Sequence, residues 1–256
     1  MVELIELEAE GQACLVLIHG TAGNPRSTWA SFASHLDGHR VLAVDLSRLE
    51  QGRGAEQTLD GLGQLIAAGV RDRVSAGVHL VGYSLGAAVA IEVASVLGPQ
   101  VLSLSLLAPF DNARDPQVRR NFGYWQRLLE DHPRKLAAEL VTRGFSVPCL
   151  RAMSAAQVAT RIEDFHQRVH WPAVAAQMVL NLALDVSPRL ARLECPTAVI
   201  VGLDDRLIPP SVSVSVYRQL PRGQLFSLPC GHLLLAEDPH GVARIVQRFV
   251  TDGRGR

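Results

Sequence analysis

The chain has 256 residues and carries 25 basic and 25 acidic residues, which leaves no formal net charge. This length is typical of one domain, and 48% hydrophobic with 20% charged residues indicates a folded globular protein rather than a disordered one. Since no basic block accompanies the zero net charge, the sequence lacks the positive surface that a phosphate backbone attracts, and nucleic acid is not an expected partner.

The N-terminal segment and the cysteines indicate where the protein resides. The first ten residues contain four glutamates and no lysine or arginine, which is the opposite of a secretory signal peptide. No apolar run approaches the roughly 20 residues that cross a bilayer. The cysteines, Cys14, Cys149, Cys195 and Cys230, form no CxxC pair, so their spacing favours neither a zinc site nor a disulfide framework. We expect a cytoplasmic protein with no membrane contact and no metal.

Short apolar runs alternate with helix-like stretches along most of the chain. The predicted strands are Ala13 to Ile18, Val41 to Val44, Val78 to Val81, Val101 to Leu107, Thr197 to Val201 and, more weakly, Gln224 to Leu228. The predicted helices are Trp29 to Leu36, Glu56 to Val70, Leu85 to Leu97, Ser211 to Leu220 and Gly241 to Val250. This alternation predicts an α/β protein with a parallel sheet covered by helices on both faces.

The alternation stops between Phe110 and Leu190, where helical patterns replace strands. Apolar residues recur at helical spacing from Val118 to Leu129 and from Val158 to Val169, and Ser154 with Gln157 forms a capping-box signal before the second set. A further helix is predicted to begin at Pro172 and to run toward Leu184. The segment holds seven of the 13 aromatic residues. These rings either cover a pocket or attach the segment to the core.

A glycine-rich turn carries the first candidate for chemistry. Gly82-Tyr83-Ser84-Leu85-Gly86 lies between a predicted strand and a predicted helix. A G-x-S-x-G turn in this context exposes the serine hydroxyl on a strained backbone, whereas the alternative is a tight turn with an idle serine. A serine hydroxyl becomes a good nucleophile when an imidazole takes its proton and a carboxylate orients that imidazole.

Candidate partners for Ser84 occur downstream in the chain. Asp204 and Asp205 follow the strand Thr197 to Val201, at the end of the strand where α/β proteins build their sites. His232 follows Gly231 and precedes the last predicted helix. The order along the chain is therefore serine, aspartate, histidine.

Four blocks in this order resemble the α/β-hydrolase fold over nearly the whole chain. The blocks are His19 to Gly23, Gly82 to Gly86, Cys195 to Pro209 and Gly231 to Pro239. The resemblance implies a mostly parallel central sheet with helices on both faces and a helical cap inserted after the sixth core strand. Residues 110–190 would form the cap, and residues 1–109 and 191–256 the core. One departure is the loop from Leu46 to Gly54, where many members have a G-x-G-x-S turn.

The resemblance also assigns roles to individual residues. Ser84 would attack an acyl carbon, His232 would take and return the proton, and Asp205 would orient the imidazole. Backbone N–H groups of Thr21 and Leu85 would bind the oxyanion.

Other residues have competing interpretations. Asp111 stands where some relatives place the acid, and Asp204 fits a loop or capping role. His166 and His170, four apart on one predicted helical face, either bind a metal, contact substrate or face solvent. Tyr83, Tyr124 and Trp125 are candidates for lining a substrate pocket, with core packing as the alternative.

We therefore expect a serine hydrolase that needs no cofactor and acts on a small to medium ester, lactone or thioester with an apolar acyl part. An alternative keeps the same three residues for carbon–carbon bond cleavage, cyclisation or acyl transfer. Another alternative is a binding protein on the same scaffold. The expected partner is a small-molecule substrate. Association of the chain into a homodimer is a further alternative.

Overall fold

A computed structural model of the chain describes residues 2–11, 13–36, 38–49 and 58–252. The predicted helix start at Glu56, most of the divergent loop that ends at Gly54 and the last four residues lie outside this part. Among the described residues, no helix is both long and apolar enough to cross a membrane.

The described strands form one sheet of seven, in the spatial order β1-β3-β2-β4-β5-β6-β7. They are β1 (Glu3–Glu8), β2 (Ala13–Ile18), β3 (His39–Asp45), β4 (Val78–Tyr83), β5 (Val101–Leu107), β6 (Thr197–Gly202) and β7 (Gly223–Leu228). All neighbours are parallel except β1 and β3, which pair antiparallel at one edge. The predicted parallel sheet is confirmed. Strand β1 was not predicted.

Helices of the core cover both faces of this sheet, as the alternation predicts. They are α1 (Pro25–Ala33), α2 (Leu59–Arg71), α3 (Leu85–Leu97), α10 (Pro210–Arg218), α11 (Leu234–Glu237) and α12 (Pro239–Asp252). Strand β2 shows the two layers, because Val16 and Ile18 pack into the cluster with α2 and α3, whereas Leu15 and Leu17 pack into the cluster with α1 and α12. Successive side chains of a strand point to opposite faces, so a strand buried on both sides is apolar throughout.

Six helices connect β5 to β6 in the part of the chain that the structure describes. They are α4 (Pro116–Asp131), α5 (Pro133–Gly144), α6 (Val147–Arg151), α7 (Ala155–Arg168), α8 (Trp171–Ala183) and α9 (Ser187–Leu190). The capping box at Ser154 and Gln157 is present, and α8 begins one residue before Pro172. The insertion follows β5, the fifth of the seven described strands, whereas the resemblance places it after the sixth core strand of the fold. Helices α5, α6 and α9 were not predicted.

Candidate active site

Ser84 occupies the sharp turn between β4 and α3. Its backbone has φ 56° and ψ −119°, a left-handed conformation that residues with a side chain rarely adopt. The glycines on either side are required by close packing. A Cβ on Gly82 would lie 2.4 Å from the carbonyl oxygen of Gly86, and a Cβ on Gly86 would lie 2.1 Å from that of Ile18. The motif therefore lets the turn lie directly against β2.

Ser84, His232 and Asp205 form one chain of hydrogen bonds. The Oγ of Ser84 lies 3.1 Å from Nε2 of His232, and Nδ1 of His232 lies 2.6 Å from Oδ2 of Asp205. All three residues are buried. Because a carboxylate can only accept here, Nδ1 carries the proton and Nε2 is free to accept one from the serine hydroxyl. The arrangement can thus activate the hydroxyl as a nucleophile.

Backbone groups hold the Asp205 carboxylate in place. Its Oδ1 accepts hydrogen bonds from the N–H groups of Leu207 and Ile208, both at 2.8 Å, while Oδ2 accepts from the imidazole. Asp205 follows β6 and His232 follows β7, so both side chains reach Ser84 from loops at the carboxyl edge of the sheet.

The other two candidate acids have different partners. The Asp111 carboxylate accepts hydrogen bonds from Ser187 Oγ at 2.9 Å and from Gln219 Nε2 at 3.1 Å. The Asp204 carboxylate accepts from the backbone N–H of Val147, in the insertion. Among the described residues, only Asp205 pairs with the His232 imidazole.

Tyr83 contacts His232 through both its hydroxyl group and its ring. Its hydroxyl donates a hydrogen bond of 2.9 Å to the carbonyl oxygen of His232, and the centres of the two rings are 5.3 Å apart. Burial raises the pKa of Tyr83 far above its ordinary value, and the negative charges of Asp205 and Glu237 raise it further. The hydroxyl therefore stays protonated and remains a donor.

His19 shapes the loop that contains Thr21. Its Nδ1 donates to the carbonyl oxygen of Gly20 at 2.8 Å, and its Nε2 accepts from the N–H of Leu46 at 2.9 Å. Both ring nitrogens are used inside the core, so the imidazole links the turn after β2 to the end of β3. Thr21 lines the same cavity as Ser84. Leu85 contributes the first N–H of α3, which has no partner within the helix, while its side chain is buried in the core.

Two buried amides of α8, which sequence reasoning missed, hold this loop. Gln177 accepts a 2.8 Å hydrogen bond from the N–H of Ala22 and donates one of 2.7 Å to the carbonyl oxygen of Leu46. Asn181 donates to the Thr21 hydroxyl at 2.8 Å. Two polar residues four apart in an apolar helix were the available signal, since buried amides need partners.

A cavity of about 390 Å³ opens beside Ser84 between the core and the insertion. Its wall from the insertion carries the charged residues Arg161, Asp164 and Arg168 and is otherwise apolar, with Phe122, Trp125, Leu140, Val141, Phe145, Phe165 and Val169. Tyr83 and Trp125 line it as proposed from the sequence, but Tyr124 does not. Residues 124 and 125 point about 100° apart around α4, so Trp125 faces inward and Tyr124 is 41% exposed.

The proposed histidine pair does not share a helical face. Helix α7 ends at Arg168, so His166 lies in its last turn and His170 precedes α8. The ring of His166 packs against Trp171, with ring centres 5.5 Å apart. Within the described residues, no group of three or more histidine, cysteine or acidic side chains could hold a metal ion.

Glu237 connects the histidine loop to the insertion. Its Oε1 accepts hydrogen bonds from the backbone N–H groups of Gly231, at 2.9 Å, and Ser146, at 2.7 Å. Its Oε2 accepts a third from the Ser146 hydroxyl, at 2.6 Å. One carboxylate thus bridges the residue before His232 and the loop between α5 and α6.

Comparisons with known proteins agree with this architecture. Pyrrolizixenacetamide deacetylase of Xenorhabdus hominickii is 30% identical over 241 residues, which cover 92% of this chain and 90% of that protein. The 2-hydroxy-6-oxononadienedioate/2-hydroxy-6-oxononatrienedioate hydrolase of Burkholderia vietnamiensis is 26% identical over 259 residues, covering 94% and 88%. A thermophilic esterase from Thermogutta terrifontis has the same fold, with a TM-score of 0.79 at 23% identity over 98% of this chain and 94% of that one. A model of the alpha/beta hydrolase family matches residues 15–245, and the chain belongs to that family.

Proposed function

We propose that the protein is a serine hydrolase that cleaves an ester, lactone or thioester through an acyl-enzyme on Ser84. The observation that carries this proposal is the hydrogen-bonded series from Asp205 through His232 to Ser84, which ends in the cavity. The similarity of the chain to hydrolases over almost its full length supports it.

Each residue has a defined role in this reaction. As Ser84 Oγ attacks the acyl carbon, His232 Nε2 takes the hydroxyl proton and then delivers it to the leaving group. Water attacks the acyl-enzyme next, and His232 takes a proton from that water. Asp205 keeps the imidazole oriented and stabilises it while it is charged. The N–H groups of Leu85 and Thr21 bind the oxyanion, an interaction worth about 3 kcal/mol per donor in the barrier.

The cavity supports a substrate with an apolar acyl part. Aromatic and aliphatic side chains from the insertion form one wall, opposite the polar loop that carries Thr21. In this proposal, residues 110–190 act as a cap that excludes bulk water from the acyl-enzyme.

Covalent labelling tests the proposal. A fluorophosphonate probe should add once to the wild type, and intact-mass spectrometry should find no adduct on Ser84→Ala. Hydrolysis of 4-nitrophenyl butyrate should fall by at least about three orders of magnitude in Ser84→Ala and in His232→Ala. A natively folded wild type that neither forms the adduct nor turns over any 4-nitrophenyl ester from acetate to decanoate would contradict the proposal.

Deacetylation of an amide is a second candidate, because the 30% identical relative is a deacetylase. Amide and ester cleavage share the acyl-enzyme, so the same residues would serve both. Carbon–carbon bond cleavage and acyl transfer remain alternatives within the proposed mechanism. Aryl acetamides and aryl acetates with the same aryl group, compared by kcat/KM on one preparation, separate amide from ester preference. Turnover of either that disappears in Ser84→Ala excludes a pure binding protein.

A further inference from the structure

Two arginines of the insertion line the candidate active-site cavity. Arg161 and Arg168 stand with Asp164 and Phe165 on α7, and all four residues line the cavity. Their spacing places them on one face of the helix, since residues three, four and seven apart share a face. This face therefore presents charged groups to a cavity whose other insertion residues are apolar.

A second cleft of about 630 Å³ adjoins the cavity. The two spaces share one boundary, formed by Ala22, Gly23, Asn24, Arg168 and Val169. The charged and titratable side chains that line this cleft, within the part of the chain that the structure describes, are Arg26, Arg48, Arg168, His170 and Asp45. Arg168 therefore lines both spaces, and two further arginines line the second one.

Positively charged side chains outnumber negatively charged ones among the described residues that line the two spaces. Among the described residues, four arginines and two carboxylates, Asp45 and Asp164, line the two spaces. Asp45 accepts a 2.8 Å hydrogen bond from the backbone N–H of Ser47, which favours its ionised form. The chain as a whole has no net charge, so this excess of positive charge is local.

The four arginines have no ion-pair partner among the described acidic side chains. Within the described parts of the chain, none of them forms an ion pair, whereas Arg40, Arg114, Arg134, Arg143 and Arg189 each do. Arg168 donates its Nε–H to the backbone carbonyl of Asp164 at 2.9 Å, and the guanidinium carbon of Arg161 lies 5.4 Å from the centre of the Phe145 ring. Neither interaction neutralises the positive charge.

We propose that Arg161 and Arg168 bind an anionic group of the substrate, with the cleft lined by Arg26 and Arg48 extending the positive surface. The inference rests on the proposed function and specifies its substrate class: a molecule with an apolar acyl region at Ser84 and a carboxylate or phosphate farther out. Guanidinium groups pair with both anions through two parallel hydrogen bonds.

Matched substrates test the proposal and separate the two anions. The carboxylate pair is 4-nitrophenyl butyrate and the mono-4-nitrophenyl ester of glutaric acid. The phosphate pair is phenyl butyrate and its 4-phosphate. In at least one pair, kcat/KM for the anionic ester should exceed that for the neutral ester by about tenfold or more, a preference that should weaken as ionic strength rises.

Variants link this preference to the arginines. Arg161→Gln and Arg168→Gln should each reduce the ratio of anionic to neutral kcat/KM severalfold, and the double variant should abolish the preference. Arg120→Gln is the matched control, because Arg120 is an exposed arginine of the insertion that does not line the cavity. Equal rates within both pairs, or a preference that survives the double variant, would overturn the inference while leaving the proposed hydrolysis intact.

Binding distinguishes this inference from the proposed reaction. Calorimetric titration of glutarate and of phenyl phosphate into Ser84→Ala reports the anion site without any turnover. At least one anion should bind with a Kd that the double arginine variant weakens by about tenfold or more. Binding of neither anion, or an unchanged Kd in the double variant, would refute the site even if esters are hydrolysed.

Discussion

Ser84 is held in a strained conformation by its neighbours along the chain and in the sheet. A positive φ in a residue with a side chain costs on the order of 1–3 kcal/mol, which the surrounding structure must offset. The N–H of Ser84 donates to the carbonyl oxygen of Leu107 in β5, and the N–H of Ala87 donates to that of Ser84, both at 2.9 Å. These bonds fix the serine at the end of the sheet, where His232 reaches it.

The choice of acid can be tested at the level of one residue. We expect Asp205→Asn to lower kcat for 4-nitrophenyl butyrate by about three to four orders of magnitude, because the amide favours the wrong imidazole tautomer. Asp111→Asn should stay within about threefold of the wild type, since its side chain contacts Ser187 and Gln219 instead. Steady-state kinetics alongside thermal unfolding separate activity from folding. The opposite order of the two variants would transfer the role to Asp111.

The close packing of α3 against β2 and β4 depends on glycine at positions 82 and 86, where a side chain would clash with the backbone. Gly82 and Gly86 let the turn and the first residues of α3 approach the backbone of Ile18. A small hydrophobic group there would force the helix away from the sheet. The same displacement would move the Leu85 N–H, which we propose as an oxyanion donor.

Two glycine substitutions compare a packed site with an open one. Gly86→Ala should lower the free energy of unfolding by about 3 kcal/mol or more, because its Cβ would meet backbone atoms that cannot move aside. Gly123→Ala in α4 should instead be neutral or stabilising by about 0.5–1 kcal/mol, since nothing lies within 4 Å of its added Cβ and alanine favours helix. Urea unfolding of both variants measures the difference, and equal losses would contradict the packing explanation.

The strands that contain a short apolar run were predictable from the sequence, and β1 was not. The six predicted strands match β2 to β7 because each repeats a short apolar run. Strand β1 pairs at the edge of the sheet, and three of its six residues are glutamates, so it lacks such a run. Helix α5 carries Leu136, Leu140 and Val141 at helical spacing, a signal that the prediction overlooked.

At the scale of the whole molecule, the insertion is fastened to the loops that carry Asp205 and His232. Arg206 donates hydrogen bonds of 2.7 Å to the carbonyl oxygens of Thr142 and Phe145, and Glu237 binds Ser146. The loop between α5 and α6 thus joins the core and the insertion directly beside the candidate site.

A double-mutant cycle tests this junction. Glu237→Gln should lower the free energy of unfolding by about 1.5–3 kcal/mol, because the replaced carboxylate accepts three hydrogen bonds. Ser146→Ala should cost less, and the pair should show a coupling of about 1 kcal/mol or more. Glu163→Gln, at an exposed ion pair with Arg134, is the control and should change stability little. Additive effects of the two substitutions would show that the Glu237 and Ser146 side chains do not act together.

The sequence by itself determined the layered fold, the turn around Ser84 and the order of Ser84, Asp205 and His232. These features follow from local periodicity and from turn glycines, and a parallel sheet brings the carboxyl ends of its strands to one edge. It left Asp205, Asp204 and Asp111 as alternatives for the acid.

Only the tertiary structure decided which side chains meet. It pairs His232 with Asp205, and it brings Gln177 and Asn181 to the loop of Thr21, Glu237 to Ser146, and Arg161 and Arg168 to the cavity beside Ser84. Asn181 and Thr21 are 160 positions apart, and Glu237 and Ser146 are 91 apart. Contacts across such separations depend on how the helices of the insertion pack over the sheet, and no local pattern in the sequence records that packing.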